Sequence, residues 1–370
     1  MSTTSLDPSR PTLDMLESHG PGKAADAPTL DAAMTYVRGL AKSHYENFHV
    51  LTGLVPAELR DDFAAVYAFC RWADDLGDET GSTPEARTRS LELLAWWREG
   101  LKGCFAWAEA RASEPSRASD RSCAVSEDQA GPKIEGLRPS AQTAAGASAP
   151  PTHPVYVALA ETIRKRRATG DRALTITPFD DLIKAFELDQ TLRQYETWEQ
   201  LVHYCTLSAN PVGRIVLALA GYGDTAENAE RYAMSDSICT ALQLTNHWQD
   251  VRRDLLERDR VYIPSSDTGV SPEQLRAWAE RGDDPAARVP YIRMLRTLVA
   301  RTWSLFERGA PLPGLLDRRI RGVVWLFAAG GRRVLGSVER RGCTTLWNRP
   351  TLSGIEKGVL LARAWMTSKW

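Results

Sequence analysis

Tyr67, Arg71, Asp74 and Asp78 are spaced four, three and four residues apart in the run DDFAAVYAFCRWADDLGDE, residues 61–79. On a helix, residues three and four apart share a face. One phenol, one guanidinium and two carboxylates would then project together, with Asp75 and Glu79 beside them and Phe63, Val66, Ala73 and Leu76 left to pack elsewhere. Carboxylates at a helix C-terminus oppose the helix dipole, so local stability does not account for them. Alone, such a run is more often a solvated helix end than a site.

A second stripe removes that ambiguity. In ALQLTNHWQDVRRDLLERDRVYIP, residues 241–264, Gln243, Asn246, Asp250 and Asp254 step by three, four and four, and Leu242, Val251 and Leu255 occupy the other side. Amide and carboxylate oxygens without sulfur or imidazole suit a hard cation such as Mg²⁺. Two such stripes facing each other would hold several ions, with a diphosphate supplying the remaining oxygens. Arg71, Arg252, Arg253 and Arg260 lie near the same stripes, and guanidinium forks match phosphate oxygens. A salt-bridged surface helix would explain one DxxxD run but is a poor account of two.

The elements that must position these residues read as helices. Apolar residues recur at three- and four-residue steps over 63–72, 91–101, 155–163, 179–188, 198–219, 232–256 and 291–306, the helical period. Thr83-Pro84-Glu85 places a cap before a first-turn proline, and Asp224 with Glu227 has the spacing of a capping box. Pro178, Gly221, Gly223 and Pro264 read as stops. Residues 173–177 and 261–263 are the few strand candidates, and no repeat of fixed period occurs. Residues 1–29, rich in Pro, Ser, Asp and Thr and without an apolar h-region, read as a disordered leader and not as a signal peptide. Residues 108–151, dominated by Ala, Ser, Pro, Gly and charge, read as a low-complexity insertion within one domain spanning 30–370, because residues on both sides of it serve one site.

The composition excludes several classes. A formal net charge of −1 leaves no basic footprint for nucleic acid and no long-range steering of an anion, so a bound anion must be met by local charges. Six cysteines, with no CxxC pair, point to reduced, mostly buried thiols in a cytoplasmic protein. No run of about 18 uncharged apolar residues spans a bilayer.

YAFCRWADDLGDE and QLTNHWQDVRRD, followed by DRVYIP, resemble the two aspartate-rich motifs of the squalene/phytoene synthase superfamily. The resemblance covers about residues 30–370, less the insertion. HYENFHVLTGLVP at 44–56, HPVYVALAETIRK at 153–165 and RQYETWEQLVHYCTLSANPVG at 193–213 are similar to the bacterial hydroxysqualene synthases of hopanoid biosynthesis. This implies an all-α isoprenoid synthase fold with helices around a central cavity. It also implies Asp74, Asp78, Asn246, Asp250 and Asp254 as Mg²⁺ ligands. Arg71 with the four aspartates would be catalytic, and His44, Asn47, Tyr67, Arg71, Gln243, Arg253, Arg260 and Tyr262 would meet substrate or diphosphate. Tyr45-Glu46-Asn47-Phe48 stands where squalene and dehydrosqualene synthases tend to carry Ser-x-Ser-Phe, and Gln249 stands where many relatives have arginine. Both changes remove phosphate contacts and favour a substrate with a single diphosphate. Gly77 is an unusual residue inside the first motif, since glycine costs about 1 kcal/mol in a helix.

The resemblance implies conversion of presqualene diphosphate and water to hydroxysqualene and diphosphate, with a C30 prenyl diphosphate as ligand, Mg²⁺ as cofactor, and a functional link to a presqualene diphosphate synthase. One alternative is condensation of two prenyl diphosphates to presqualene diphosphate, squalene or phytoene; a remote one is a non-catalytic assembly factor, against which both acidic motifs are intact. Ser208, Ala209, Pro211 and Gly213 in an apolar run predict a kinked helix; the residues alone favour a core helix, and the resemblance implies that it walls a prenyl tunnel. Tyr45 and Asn47 are candidates to position the attacking water. Lipid substrate and product predict peripheral contact with the inner membrane; the arginine-flanked segment 318–333 is one candidate for it, though a core-facing helix is favoured there. Trp96, Trp97 and Trp107 read as core.

Overall fold

The computed structural model describes residues 12–23, 26–43, 54–78, 80–81, 83–112 and 149–369. The helical spacing resolves into α1 (Thr12–His19), α2 (Leu30–Ser43), α3 (Arg60–Asp78), α4 (Pro84–Ala112), α5 (Pro154–Ala168), α6 (Thr177–Thr191), α7 (Trp198–Ser208), α8 (Asn210–Leu219), α9 (Ala229–Glu257), α10 (Pro272–Ala279), α11 (Pro285–Gly309), α12 (Arg318–Arg340) and α13 (Gly354–Lys369). Starts follow local chemistry. Thr83 Oγ1 accepts from the Ala86 amide ahead of Pro84, and Thr197 and Asp284 cap α7 and α11 in the same way, each satisfying an otherwise orphaned donor.

Helix α9 organises the rest. It packs on α7, α8, α10, α11 and α12, and its residues belong to two clusters of buried side chains. One cluster is built on α2 to α6 and α8, the other on α7, α10, α11 and the end of α12. Trp72 and Trp97 stack at 5.3 Å in the first cluster, with Phe69 against Trp97 at 5.6 Å. Trp97 is core as expected, and Trp96 and Trp107 lie half-buried against it. Aromatic residues of this size bury ~150–250 Å² each, so this stack fixes α3 against α4 and holds the first acidic stripe in place.

Several expectations are corrected. The leader is not disordered throughout: residues 12–19 form α1, with Met15 fully buried and the Thr12 hydroxyl donating to Asp75 on α3. One buried methionine and one hydroxyl–carboxylate bond anchor a segment whose composition looked too polar to order. Residues 108–112 complete α4, and Ala108 is buried, so the insertion starts later; residues 113–148 lie outside those described. Among the described residues no strand forms. Residues 173–177 lead into α6, and Val261 makes only an isolated bridge with Gln194. The capping box at Asp224 does not form, because Asp224 accepts from Arg214 and α9 begins after Asn228 without a side-chain cap. Pro178 begins α6 rather than ending a helix. The expected kink at Pro211 is a break: α7 ends at Ser208, Ala209 takes φ −127°, and α8 restarts at Asn210. Proline has no amide to continue the ladder. Segment 318–333 is the first part of α12, with Ile320, Val323 and Val324 turned into the core, as favoured.

Candidate active site

Gly77 explains itself first. A Cβ there would sit 3.2 Å from Phe186 Cβ on α6, and the Gly77 carbonyl accepts from Gln190 Nε2 at 2.9 Å. Glycine thus lets α6 approach α3 where the acidic stripe lies. On α3, Arg71 meets Asp75 at 2.5 Å and Asp74 at 3.5 Å. Asp75 is the buried carboxylate of this run, and Asp74 keeps 45% of its side chain exposed. Tyr67 is half-buried one turn before Arg71.

On α9, Asp250 and Asp254 are both buried. Arg253 donates to Asp250 at 2.6 Å, and Arg349, from the segment between α12 and α13, donates to its other oxygen. Asp254 has Arg253 at 3.8 Å. Burial pushes the Asp254 carboxyl up to about 6, against the pull of Arg253. Desolvation disfavours the charged form.

Arg260 joins the two helices. Its guanidinium donates to Asp78 at 3.0 Å and lies 3.9 Å from Asp189 on α6; it is also near enough to Asp254 to favour that group's charge. Arg258 reaches Asp78 at 3.7 Å. Asp189 accepts from the Tyr204 hydroxyl at 2.9 Å. Burial lifts it to about 7, opposed by Arg260 and Tyr204 and reinforced by the charges of Asp78 and Asp74. Tyr262 stacks on buried His247 at 3.6 Å between ring centroids, and burial brings that imidazole down to about 3.

Gln243 and Asn246 head the α9 stripe and line a cavity of about 750 Å³. Its apolar walls come from Val212 and Val216 on α8, Ile238 and Leu242 on α9, Leu326 and Phe327 on α12, and Leu360 and Leu361 on α13. Ser208, Ala209 and Gly213 line it at the α7–α8 break, where small residues were expected to make room. The volume lies in the upper part of the range of ligand pockets. The cavity meets the polar stripe at Gln243 and Asn246, with Asp250 and Asp254 one and two turns further along α9.

Asp74, Asp78, Arg71, Gln243, Asn246, Asp250, Asp254, Arg253, Arg260 and Tyr262 are all placed by the structure. His44 and Asn47, with Tyr45 and Glu79, lie outside the described residues. Arg252 is turned away: it donates to the Ala279 and Leu346 carbonyls and holds the chain after α12. Gln249 donates to the Pro350 carbonyl at 2.6 Å, so it too serves that segment. Sequence reasoning missed Arg349 and Asp189, which have no motif spacing to either stripe. It also undervalued Asp75, whose adjacency to Asp74 hid that it faces inward.

Among the described residues no three carboxylate, imidazole or thiolate groups converge closely enough to hold a metal ion alone. The donors instead sit in pairs with arginines among them, all hard oxygens. That set fits a hard cation delivered together with a phosphate-rich ligand, which would supply further oxygens and draw the arginines onto itself.

The family model for squalene/phytoene synthase matches residues 41–356. A hydroxysqualene synthase of Sinorhizobium fredii is 27% identical over 82% of this chain and 83% of its own length. Another, of Rhodopseudomonas palustris, is 31% identical over 49% of this chain, a stretch spanning 59% of that protein. A phytoene synthase of Arthrospira platensis is 26% identical over 82% of each. Among solved structures, squalene synthase HpnC from Alicyclobacillus acidocaldarius superposes with a TM-score of 0.59 at 32% identity, covering 85% of this chain and 95% of that one. A ligand-bound dehydrosqualene synthase at 20% identity (TM-score 0.60, covering 92% of this chain and 98% of that one) shares the isoprenoid synthase fold.

Proposed function

Because the chain belongs to the squalene/phytoene synthase family, an all-helical group acting on prenyl diphosphates, we propose that it is a Mg²⁺-dependent hydroxysqualene synthase, converting presqualene diphosphate and water to hydroxysqualene and diphosphate. The observation that carries this reading is one apolar cavity of about 750 Å³ that meets the α9 stripe at Gln243 and Asn246, the same stripe whose Asp250 and Asp254 lie further along the helix among Arg253 and Arg349. An apolar chain and a diphosphate head need that juxtaposition.

In this reading Asp74, Asp78, Asn246, Asp250 and Asp254 would hold the metal ions, whose chemistry when bound is Lewis-acid stabilisation of the leaving diphosphate. Arg71, Arg253 and Arg260 rotate from their aspartates to the phosphate oxygens and meet charge as it develops. The carbon–oxygen bond breaks with its electron pair on the diphosphate. The cyclopropylcarbinyl cation rearranges inside walls that keep out bulk water. One water adds through oxygen, and its proton leaves to the diphosphate. No hydride donor enters the balance. The relatives named hydroxysqualene synthase support this branch. So does Gln249, which spends its amide on Pro350 and offers a diphosphate no cation.

The test is incubation with presqualene diphosphate and Mg²⁺ without NADPH, with farnesyl and geranylgeranyl diphosphate in parallel, and mass spectrometry of the products. An alcohol from presqualene diphosphate, lost with EDTA, is the expected result. Condensation of farnesyl or geranylgeranyl diphosphate would instead place the chain with the condensing members, a branch the similar phytoene synthase keeps in view.

A further inference from the structure

Helix α13 is apolar on two opposite faces. With successive residues about 100° apart, Leu360, Leu361 and Ala364 fall together; the two leucines line the cavity and Ala364 is fully buried. On the opposite face Ile355, Val359 and Met366 stand 81%, 53% and 49% exposed, with Trp365 at one edge. Scattered apolar residues on a surface need no explanation. A row on the outer face of the helix that covers an apolar cavity does, because one helix thickness is all that separates cavity from solvent.

Charge selects the occupant. Arg363 is exposed beside this row, whereas Lys357 falls on the cavity face and lines the cavity. Its single acidic residue, Glu356, is taken by Arg333 at 2.9 Å and approached by Arg340 at 3.9 Å, both from α12. On that side the apolar row is therefore bordered by three arginines, Arg333, Arg340 and Arg363, against one glutamate. A second copy docked symmetrically would bring like charges together, whereas anionic headgroups match them. A helix with an apolar face, a tryptophan at its edge and flanking cations is built to lie at the headgroup–acyl boundary. Among the described residues no helix is long and apolar enough to cross a membrane. The family match ends at residue 356, and nearly all of α13 lies beyond it.

We propose that α13 docks its outer face on an anionic lipid surface and serves as the portal between that surface and the cavity beneath. The cargo rests on the function proposed above; the docking does not. The test is co-sedimentation of the full chain with vesicles of phosphatidylglycerol and phosphatidylethanolamine, and with vesicles of phosphatidylcholine alone. It compares wild type, the double variant Ile355→Glu/Val359→Glu and the double variant Ile355→Leu/Val359→Leu, with turnover of detergent-dispersed substrate and light scattering alongside. Wild type and the leucine variant should bind the anionic vesicles, and the glutamate variant at least about tenfold less well, with detergent turnover equal in all three. Absence of wild type from the anionic vesicles overturns the proposal, as does equal binding by the glutamate variant. Dimers that the glutamate variant loses, without vesicle binding, would assign the face to a second copy and overturn it too. Vesicle binding without turnover of any prenyl diphosphate supports the docking and rejects only the substrate reading.

Discussion

The two acidic helices carry the same DxxxD spacing and live in different solvents. On α3, Asp74 and Asp78 keep 45% and 24% of their side chains exposed; on α9, Asp250 and Asp254 keep 8% and 7%. Asp78 is held by arginines arriving from the far end of α9, and Asp74 by Arg71 one turn before it. The α9 pair is desolvated before any ligand arrives, and Arg253 and Arg349 clasp Asp250. A buried carboxylate gains more from a cation than a wet one, because the low local dielectric strengthens the attraction and its hydration is already lost. In the proposed function the α9 stripe would thus be the anchor for metal and diphosphate, and the α3 stripe the side that adjusts.

The largest effect should separate the two. Asp250→Asn keeps shape and removes charge, and turnover should fall by ~10³-fold; Asp74→Asn should lose ~10²-fold. Steady-state rates at saturating Mg²⁺ measure both. Equal losses would erase the distinction, and near-normal turnover in both would remove the metal assignment altogether. Next in size are the arginines between the helices. Arg260→Lys keeps the charge but cannot span Asp78 and Asp189 as a planar fork, and kcat/KM should drop by ~10²-fold through misplacement. Arg71→Lys, confined to the α3 side, should cost less, and a larger loss there would reverse the assigned roles.

How much of this the sequence showed depends on the range of the interaction. Both stripes are i,i+3 and i,i+4 patterns, so their faces were legible from 61–79 and 241–264, as was the helical character of the chain. The prolyl break at 211 was legible as a bend, though not that Ala209 ends one helix and Asn210 starts another. Burial was not legible. Asp74 and Asp75 are adjacent and identical in type, and only the packing of α1, through Thr12, shows that Asp75 is the inner one. Arg349 lies 99 residues from Asp250, and Asp189 reaches the site only because Gly77 lets α6 close on α3. Contacts made by tertiary approach leave no period to read.

A smaller effect tests whether desolvation also governs the side behind α3. Asp189, lifted to about 7, has a folded-state value above the ~4 of the unfolded chain. The native state then binds more protons between those values, so the stability associated with this group is fully present below about pH 4 and is lost as pH rises to about 7. In EDTA, the melting temperature of the wild type relative to Asp189→Asn should fall across that window and level off above it. Parallel curves from pH 4.5 to 8 would mean that Arg260 and Tyr204 overcome burial and that this acid is charged throughout.

The smallest effect concerns the cavity, where two glycines on its lining should respond with opposite signs. At Gly213 a Cβ would fall 2.4 Å from Ser235 Oγ and 2.6 Å from Cys239 Sγ, so Gly213→Ala forces two α9 side chains to move where α8 crosses that helix. Overpacking of this kind destabilises by ~1–3 kcal/mol. At Gly330, inside α12, nothing beyond its chain neighbours and the helix's own backbone lies within 4 Å of the added methyl. Gly330→Ala therefore gains only helix propensity, about 0.5–1 kcal/mol of stability. Denaturant melts of the two variants measure both shifts. Opposite signs would show that α8 and α9 are packed to contact while α12 leaves open volume for a chain. Destabilisation by both would mean that the α12 wall has no room to spare, and the cavity would then be too tight on that side to admit a C30 chain as it stands.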